Sequence, residues 1–595
     1  MHLSRIAVSN FRNFSRLDVR LAGDVVVLGE NRVGKTNLLY GLRLLLDPSL
    51  PDTARQLSLS DFWDGLEELT AEDKIWVSVD IVDFEDDLDV LAVLTDFRLD
   101  DDPHTVRLTY EFRARPGLEA EPKSEEDYEF ICYGGEDETK RFGYELRRRI
   151  SLDALHALRD AEGDLAAWRR SPIRHLLEKA FGSVAREDLE AIGAAITEAT
   201  EKIAEFEDVE ELEESVRDLF AEMSGPRQDI NLRLGFSPAD AARLHRNIRL
   251  LIDGGERGIS DASLGSANLV FLSLKALELR QLIAEGSRDH TLLTIEEPEA
   301  HLHPHLQRSV YRHLFEELDD TDSGSLSVIL TTHSPHIASV APLRSIVLLK
   351  DTAEDGSIGC STAKLMLSED EEEDLGRYLD VTRGEILFAR GVILVEGDAE
   401  RFLLPVFAGA MGIDLDQLGI SVCSVAGTHF ATYAKFLTAL GMPFSILTDW
   451  DPTVTSARGK ARVKTLVRAI ETASGGQLPE GLEDDLDEAD EARIRELGEG
   501  YGVFVNQHTL EVDLYRDGFG EAILETLSEA GFGTKRSDLI ETWQGAPQEM
   551  EPKVLLALIA AVGKGRFAQR LAALLEEGEP PEYIRNAIQF VADRV

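Results

Sequence analysis

Residues 25–46 read VVVLGENRVGKTNLLYGLRLLL, a segment that leaves a chain few ways to fold. Val25 to Leu28 form an apolar run suited to a buried strand, and the spacing from Lys35 to about Leu46 predicts a helix. Between them GENRVGKT is a phosphate-binding loop in the context such a loop requires. Gly29 and Gly34 allow the tight backbone path, while main-chain N–H groups and the helix N-terminus hold phosphates. Lys35 reaches the β and γ oxygens and Thr36 ligates magnesium, with Asn31 and Asn37 counted among the nucleotide-binding residues.

The partners of this loop come far downstream. In TIEEPEAHLHP (294–304) an apolar strand delivers Glu296 to the magnesium and Glu297 beside the γ-phosphate, where it polarises the attacking water. LTTHSP (330–335) ends another apolar strand with His333, placed to contact the same phosphate. Thr36 and Glu296 must meet at one ion, yet compact NTPase cores need far less chain between such residues. The separation therefore predicts an inserted helical domain over 163–249, between an N-terminal part at 1–162 and a C-terminal part at 250–367 of one ATPase. Within the insert, DVEELEESVRDLFAEM (208–223) puts Val209, Leu212, Val216, Leu219 and Phe220 on one helix face. That face suits an arm packed on its own core or a dimerisation element.

A second set of chemical residues follows an acidic stretch at 368–385, which reads as a linker or a helix start. Residues 386–595 predict another α/β region with strands at 391–397, 421–427, 444–451 and 501–514. In LTDWD (447–451), Asp449 and Asp451 lie two apart at a strand end and share a side. In VEGDAE (395–400), Glu396 ends another apolar strand and Glu400 comes four residues later, on the same face if a helix starts there. Four converging carboxylates repel one another unless divalent cations are bound. Two such ions, Mg²⁺ or Mn²⁺, would suit phosphodiester cleavage.

The order NFRNF, GENRVGKT, EEPEAHLHP, TTHSP resembles the ATP-binding-cassette ATPases of the SMC/RecF group, in which two heads sandwich ATP. ASLGSANLVFLSL (262–274) stands where their signature segment belongs, keeping Ser263, Gly265 and Asn268 without the expected second glycine. Gln56 is a weak candidate for their glutamine loop. Glu396 with Asp449-x-Asp451 resembles the Toprim domain, and an ATPase head followed by Toprim is the layout of the overcoming-lysogenization-defect (OLD) nucleases. From that resemblance come Thr509 and Glu511 as further metal-site residues and Lys564 as a catalytic lysine. It also implies DNA as substrate, a homodimer or higher homo-oligomer, and, as in the Gabija anti-phage system, a superfamily-1 (UvrD-like) helicase partner.

The fold class expected is therefore α/β, an ABC-type head with a helical dimerisation insert, then an α/β Toprim domain. The expected function is an ATP-regulated, metal-dependent DNA endonuclease or nickase in phage defence or DNA repair. The alternatives are a non-nucleolytic RecF-like clamp and a Toprim nuclease acting on RNA. No tyrosine is clearly placed for a topoisomerase and no zinc-binding cysteines for a primase; Cys132, Cys360 and Cys423 are scattered. Sixty-two basic against 111 acidic residues give a net charge of −49, which leaves a nucleic-acid partner to be decided by local field. Basic stretches at 147–150, 168–175 and 243–249 either line a DNA surface or pair with acids. Without an apolar run of about twenty residues or a signal-peptide core, a cytoplasmic protein with no membrane partner is expected.

Overall fold

The computed structural model describes residues 1–66, 68–118, 121–157, 160–202, 206–224, 246, 248–319, 325–352, 354–379, 383–427, 429–450, 457–475, 478–575 and 578–595. The chain forms two compact units, one of Met1–Ala157 with Leu292–Val595 and one of Leu158–Thr291.

The first unit holds an eleven-stranded sheet of β1 (His2–Phe11), β2 (Phe14–Arg20), β3 (Val25–Gly29), β4 (Lys74–Val82), β5 (Val106–Ala114), β6 (Tyr128–Gly134), β7 (Ile150–Leu155), β10 (His290–Glu296), β11 (Leu326–Thr331), β12 (Ile346–Thr352) and β13 (Gly356–Ser361). Their order is β6-β5-β4-β1-β2-β13-β12-β3-β11-β10-β7. One end is antiparallel, with β1 paired to β2 and β4, and β5 to β4 and β6. Burial along β2 shows why: Phe14, Leu17 and Val19 face the core while Arg16, Asp18 and Arg20 face out. In β4 the buried Asp80 breaks that rule and is held by Arg107, at 2.7 and 2.9 Å, and Arg5, at 3.5 Å. β3 is buried throughout and lies between the parallel neighbours β11 and β12.

A second sheet runs β15-β14-β16-β17, all parallel, from β14 (Gly391–Val395), β15 (Ile420–Ser424), β16 (Phe444–Thr448) and β17 (Val503–Val505). Its core draws in C-terminal residues such as Phe567, Leu571 and Ile588. The expected strand over 501–514 is only partly one. β17 stops at Val505, and Leu510–Leu514 is a short helix buried on every side, so its apolar alternation mimicked a strand.

The acidic segment after 367 is not an extended linker. Glu369–Tyr378 is a helix started by a Ser368–Glu371 capping box. Glu371 then pairs with Lys435 at 2.8 Å, and Glu372 with Arg344 at 3.2 Å.

Among its described residues the second unit is helical apart from the short pair β8 (Leu251–Ile252) and β9 (Arg257–Gly258) and the start of β10. It is wider than the 163–249 insert, because it takes in the helix Leu264–Ala284 that carries Gly265 and Asn268. The helix Glu207–Ser224 leaves Leu212, Val216 and Leu219 exposed. Residues 225–245 and 247, and with them 243–245 and 247 of the basic stretch at 243–249, lie outside the described residues. Among the described residues, no helix is long and apolar enough to cross a membrane.

Candidate functional site

Two groups of side chains stand out, both in the first unit. The first surrounds the loop between β3 and the helix Lys35–Leu46. Gly29 has φ +150°, and a Cβ there would stand 2.6 Å from the Leu349 carbonyl oxygen. Gly34 has φ +88°, and its Cβ would meet Phe14 Cζ at 2.9 Å. A side chain at either position would be strained. The Lys35 ammonium donates to the Gly29 and Glu30 carbonyls, each at 2.9 Å, which folds it back over the loop. Burial lowers its pKa, against the opposing pull of Glu297 and Glu299.

Glu296, at the end of β10, lies 3.6 Å from His156 Nδ1. Glu297 takes a left-handed φ of +41°, with its N–H donating to the Thr331 carbonyl at 2.9 Å. This bend aims its carboxylate at His333, whose Nε2 is 3.7 Å from Glu297 Oε1. Burial, reinforced by the Lys35 charge, holds the His333 imidazole below its usual pKa. Glu299, which sequence reasoning missed, accepts from the His333 N–H at 2.6 Å and the Thr332 hydroxyl at 2.8 Å, fixing the histidine's backbone. Thr36 and Asn31 are exposed at the loop. Asn37 instead accepts from Arg12 at 2.8 Å and donates to Asn13, which ties the helix to the NFRNF turn. Gln56 donates to the Tyr128 carbonyl at 3.2 Å and so braces β6. In the other unit, Ser263 caps its helix by accepting from the Ser266 N–H, and the buried Asn268 Oδ1 has no partner among the described residues.

The second group lies at the C-terminal edge of the four-stranded sheet, where parallel strands present side chains for chemistry. Glu396 follows β14 and accepts from Thr448 Oγ1 at 2.5 Å, Arg462 at 2.9 Å and the Asp449 N–H at 3.0 Å. Arg462 also donates to the Asp449 carbonyl at 2.8 Å, so one guanidinium joins both strand ends. Asn506, just after β17, donates to Asp449 Oδ1 and accepts from the Trp450 N–H at 2.8 Å. Burial, with Glu396 and Glu400 nearby, pushes the Asp449 carboxyl well above its usual pKa. Burial likewise raises Glu400, on the first turn of the helix Asp398–Ala410, to about 7. Glu511 is buried in its short helix with Oε1 3.0 Å from the Lys564 ammonium. Burial opposes the charge on Lys564, but Glu511, Asp449 and Glu400 outweigh it and raise its pKa. Asp451 falls within 451–456, outside the described residues.

Residues 387–451 match the family model for the TOPRIM domain of overcoming-lysogenization-defect-like proteins. Residues 25–339, more than half the chain, match the AAA-domain model described for the AbiEii toxin of a type IV toxin–antitoxin system. The chain belongs to the OLD family. The OLD nuclease of Thermus scotoductus is 25% identical over 476 residues, covering 76% of this chain and 82% of that protein. Endonuclease GajA of Bacillus cereus is 22% identical over 553 residues, covering 87% and 89%. The solved C-terminal region of the Xanthomonas campestris pv. campestris OLD protein is 41% identical, covering 35% of this chain and 95% of that one, with a TM-score of 0.31.

Nucleotide and divalent-metal use follow from these ATPase and Toprim domains. The donor chemistry of the Toprim edge fits a hard cation. Glu400, Asp449 and Glu511 are acids pressed together, and Glu511 Oε2 and Thr509 Oγ1 are buried with no hydrogen-bond partner among the described residues. As the side chains stand, no three ligand-type residues among those described are grouped to hold one ion. Arg462 and Lys564 each occupy a carboxylate oxygen that a metal would take. The OLD-family sequence thus marks the acids, but not Thr448, Arg462 and Asn506, which orient them. Asn506 was within reach of the rule that found Asp449, a polar residue directly after a buried strand; Arg462, mid-helix in a basic run, gave no signal.

Proposed function

We propose that this OLD-family chain is an ATP-regulated endonuclease or nickase that uses Mg²⁺ or Mn²⁺ to cut DNA, in phage defence or DNA repair. The observation that carries the reading is the cluster of half-buried Glu400 and Asp449 with buried Glu511 and the Lys564 ammonium beside them, in one unit with a complete phosphate loop. Glu396, Glu400, Asp449, Asp451, Thr509 and Glu511 would hold two ions, which supply an activated water and charge neutralisation at the leaving oxygen.

The protein's own groups do the rest. Asn506 and Arg462 hold Asp449 and Glu396 at fixed angles, so the ligands need little reorganisation. Lys564, half-exposed above Glu511, reaches toward solvent and would pair with a non-bridging oxygen of the scissile phosphate. In the head, Lys35 would leave its two carbonyls for the β and γ phosphates, Thr36 and Glu296 would share magnesium, and Glu297 and His333 would face the γ-phosphate. ATP gates the cut rather than driving it, since phosphodiester hydrolysis needs no external energy. The gate has a structural route: Glu30 in the phosphate loop pairs bidentately with Arg390, at 2.5 and 2.8 Å, directly before β14.

The finer partner assignments are a homodimer through the exposed Leu212, Val216 and Leu219 stripe, Ser263 and Gly265 contacting the other protomer's nucleotide, a superfamily-1 helicase, and a cytoplasmic setting. Cleavage of supercoiled plasmid in Mg²⁺ or Mn²⁺, with and without ATP, tests the reading against Asp449→Ala. Metal-dependent nicking lost in the variant is the expected result. Undiminished cutting by the variant would remove the site assignment, and cutting of matched RNA alone would reassign the substrate.

A further inference from the structure

Resting on the nuclease reading, we propose that the helices Asp398–Ala410 and Lys564–Ala572 form a docking strip for an unpaired DNA strand at the rim of the carboxylate cluster. Phe402 stacks on a base, and Arg401, Arg566 and Arg570 hold the phosphates.

The two helices pack on each other, with Leu403 and Leu404 buried on one and Phe567, Ala568 and Leu571 on the other. Gly565 lies in the seam. A Cβ there would stand 3.3 Å from Asp398 Cβ and 3.9 Å from Phe402 Cε2, so the Phe402 ring lies beside Gly565. The next residue back, Lys564, touches Glu511 at 3.0 Å. The ring is therefore a short step from the groups that would perform the cut.

Phe402 is 40% exposed while its neighbours Leu403 and Leu404 are buried, and among the described residues of 386–595 it is the one large aromatic side chain exposed to this degree. Single exposed apolar residues are ordinary, so its surroundings decide its meaning. Arg401 and Arg566 are exposed and Arg570 half-buried, and none has an ion-pair partner among the described residues. Other cations of the same half, among them Arg462, Lys464, Arg468, Arg493 and Arg495, are held by carboxylates, whereas these three guanidinium groups are left to meet an anion. Asp398, exposed on the same strip, keeps the field from being uniformly positive.

An exposed ring on a surface that also carries guanidinium groups is a combination by which proteins hold single strands. Stacking needs a bare base face, which a duplex hides, and tolerates any sequence. The strip therefore favours DNA with an unpaired strand, such as a flap, gap or opened fork, over an intact duplex.

The test uses full-length protein carrying Asp449→Ala, so that binding is read without cutting. Fluorescence anisotropy compares a labelled single strand, the same sequence as duplex, and the same sequence as RNA. Adding Phe402→Ala is expected to weaken single-strand binding about tenfold and duplex binding less than about twofold, with Phe402→Trp restoring it. Arg566→Glu is expected to weaken single-strand binding and flatten its salt dependence by at least about one charge. Unchanged single-strand affinity in Phe402→Ala, equal losses on single strand and duplex, tighter binding of RNA than DNA, or no binding of the parent protein would each overturn the strip. Plasmid cutting by the otherwise unaltered protein judges the nuclease reading separately.

Discussion

At the phosphate loop the backbone does the placing, whereas at the Toprim edge side chains place one another. Gly29 and Gly34 take φ values of +150° and +88°, which glycine adopts at little cost, so the loop's path is set by backbone conformation within a few residues of sequence. Asp449 and Glu396, by contrast, are oriented by Asn506 and Arg462, which arrive from other parts of the fold. The first arrangement changes in an all-or-none way when a glycine gains a side chain. The second is a network from which single members can be removed in graded fashion.

The largest contrast is expected from Asp449→Ala, which should abolish metal-dependent cutting while nucleotide binding, followed with a fluorescent ATP analogue, survives. Gly34→Val and Lys35→Ala should do the reverse, removing nucleotide binding and the ATP response while leaving ATP-free cutting measurable. If either set eliminates both activities in a folded protein, the two sites are not separable in the way described. Asn506→Ala should sharpen the comparison with an intermediate effect, a loss of roughly 10–100-fold in metal affinity read by calorimetry. A loss as complete as that of Asp449→Ala would make Asn506 a ligand rather than a positioning residue.

Smaller effects are expected at the join. Glu30→Ala and Arg390→Ala should cut normally but respond weakly to ATP, and the exchanged pair Glu30→Arg with Arg390→Glu should recover part of the response. The stability cost of losing this exposed pair should stay within about 1 kcal/mol in denaturant titrations. Hydrogen bonding from Arg390 lowers the Glu30 carboxyl below its usual value. Its stabilising effect is therefore complete above the ordinary carboxyl pKa and disappears as acid takes the pH down through the lowered one. A difference between parent and Arg390→Ala that persisted below that range would point to packing rather than charge.

Much of the head was legible because its chemistry sits in contiguous motifs. The strand, loop and helix at 25–46 fall where the apolar run and helical spacing put them. The positions of Glu396 and Asp449, directly after apolar strands, and of Glu400, four residues on in a helix, were legible for the same reason. Glu511 and Lys564 were not, since nothing local distinguishes a buried glutamate beside a lysine from surface charge, and only the family resemblance marked them. Residues 510–514 misled for a physical reason. Leu510, Val512 and Leu514 alternate as in a strand, yet Glu511 and Asp513 between them are buried as well, so neither period describes the helix. Asp513 is held there by accepting from the Gln507 and His508 N–H groups at 2.8 and 2.9 Å, a contact invisible to periodicity.

The capped acidic helix at 369–378 bears on how such a chain can be dissected. A fragment begun at Ile386, where the sequence invites a cut, would separate Lys435 from Glu371 and Arg390 from Glu30. Such a fragment would keep the carboxylates and lose every tie by which the head could govern them. Rates measured on it would describe a blade without its handle, and comparing them with the whole chain would give the strength of that restraint as a single ratio.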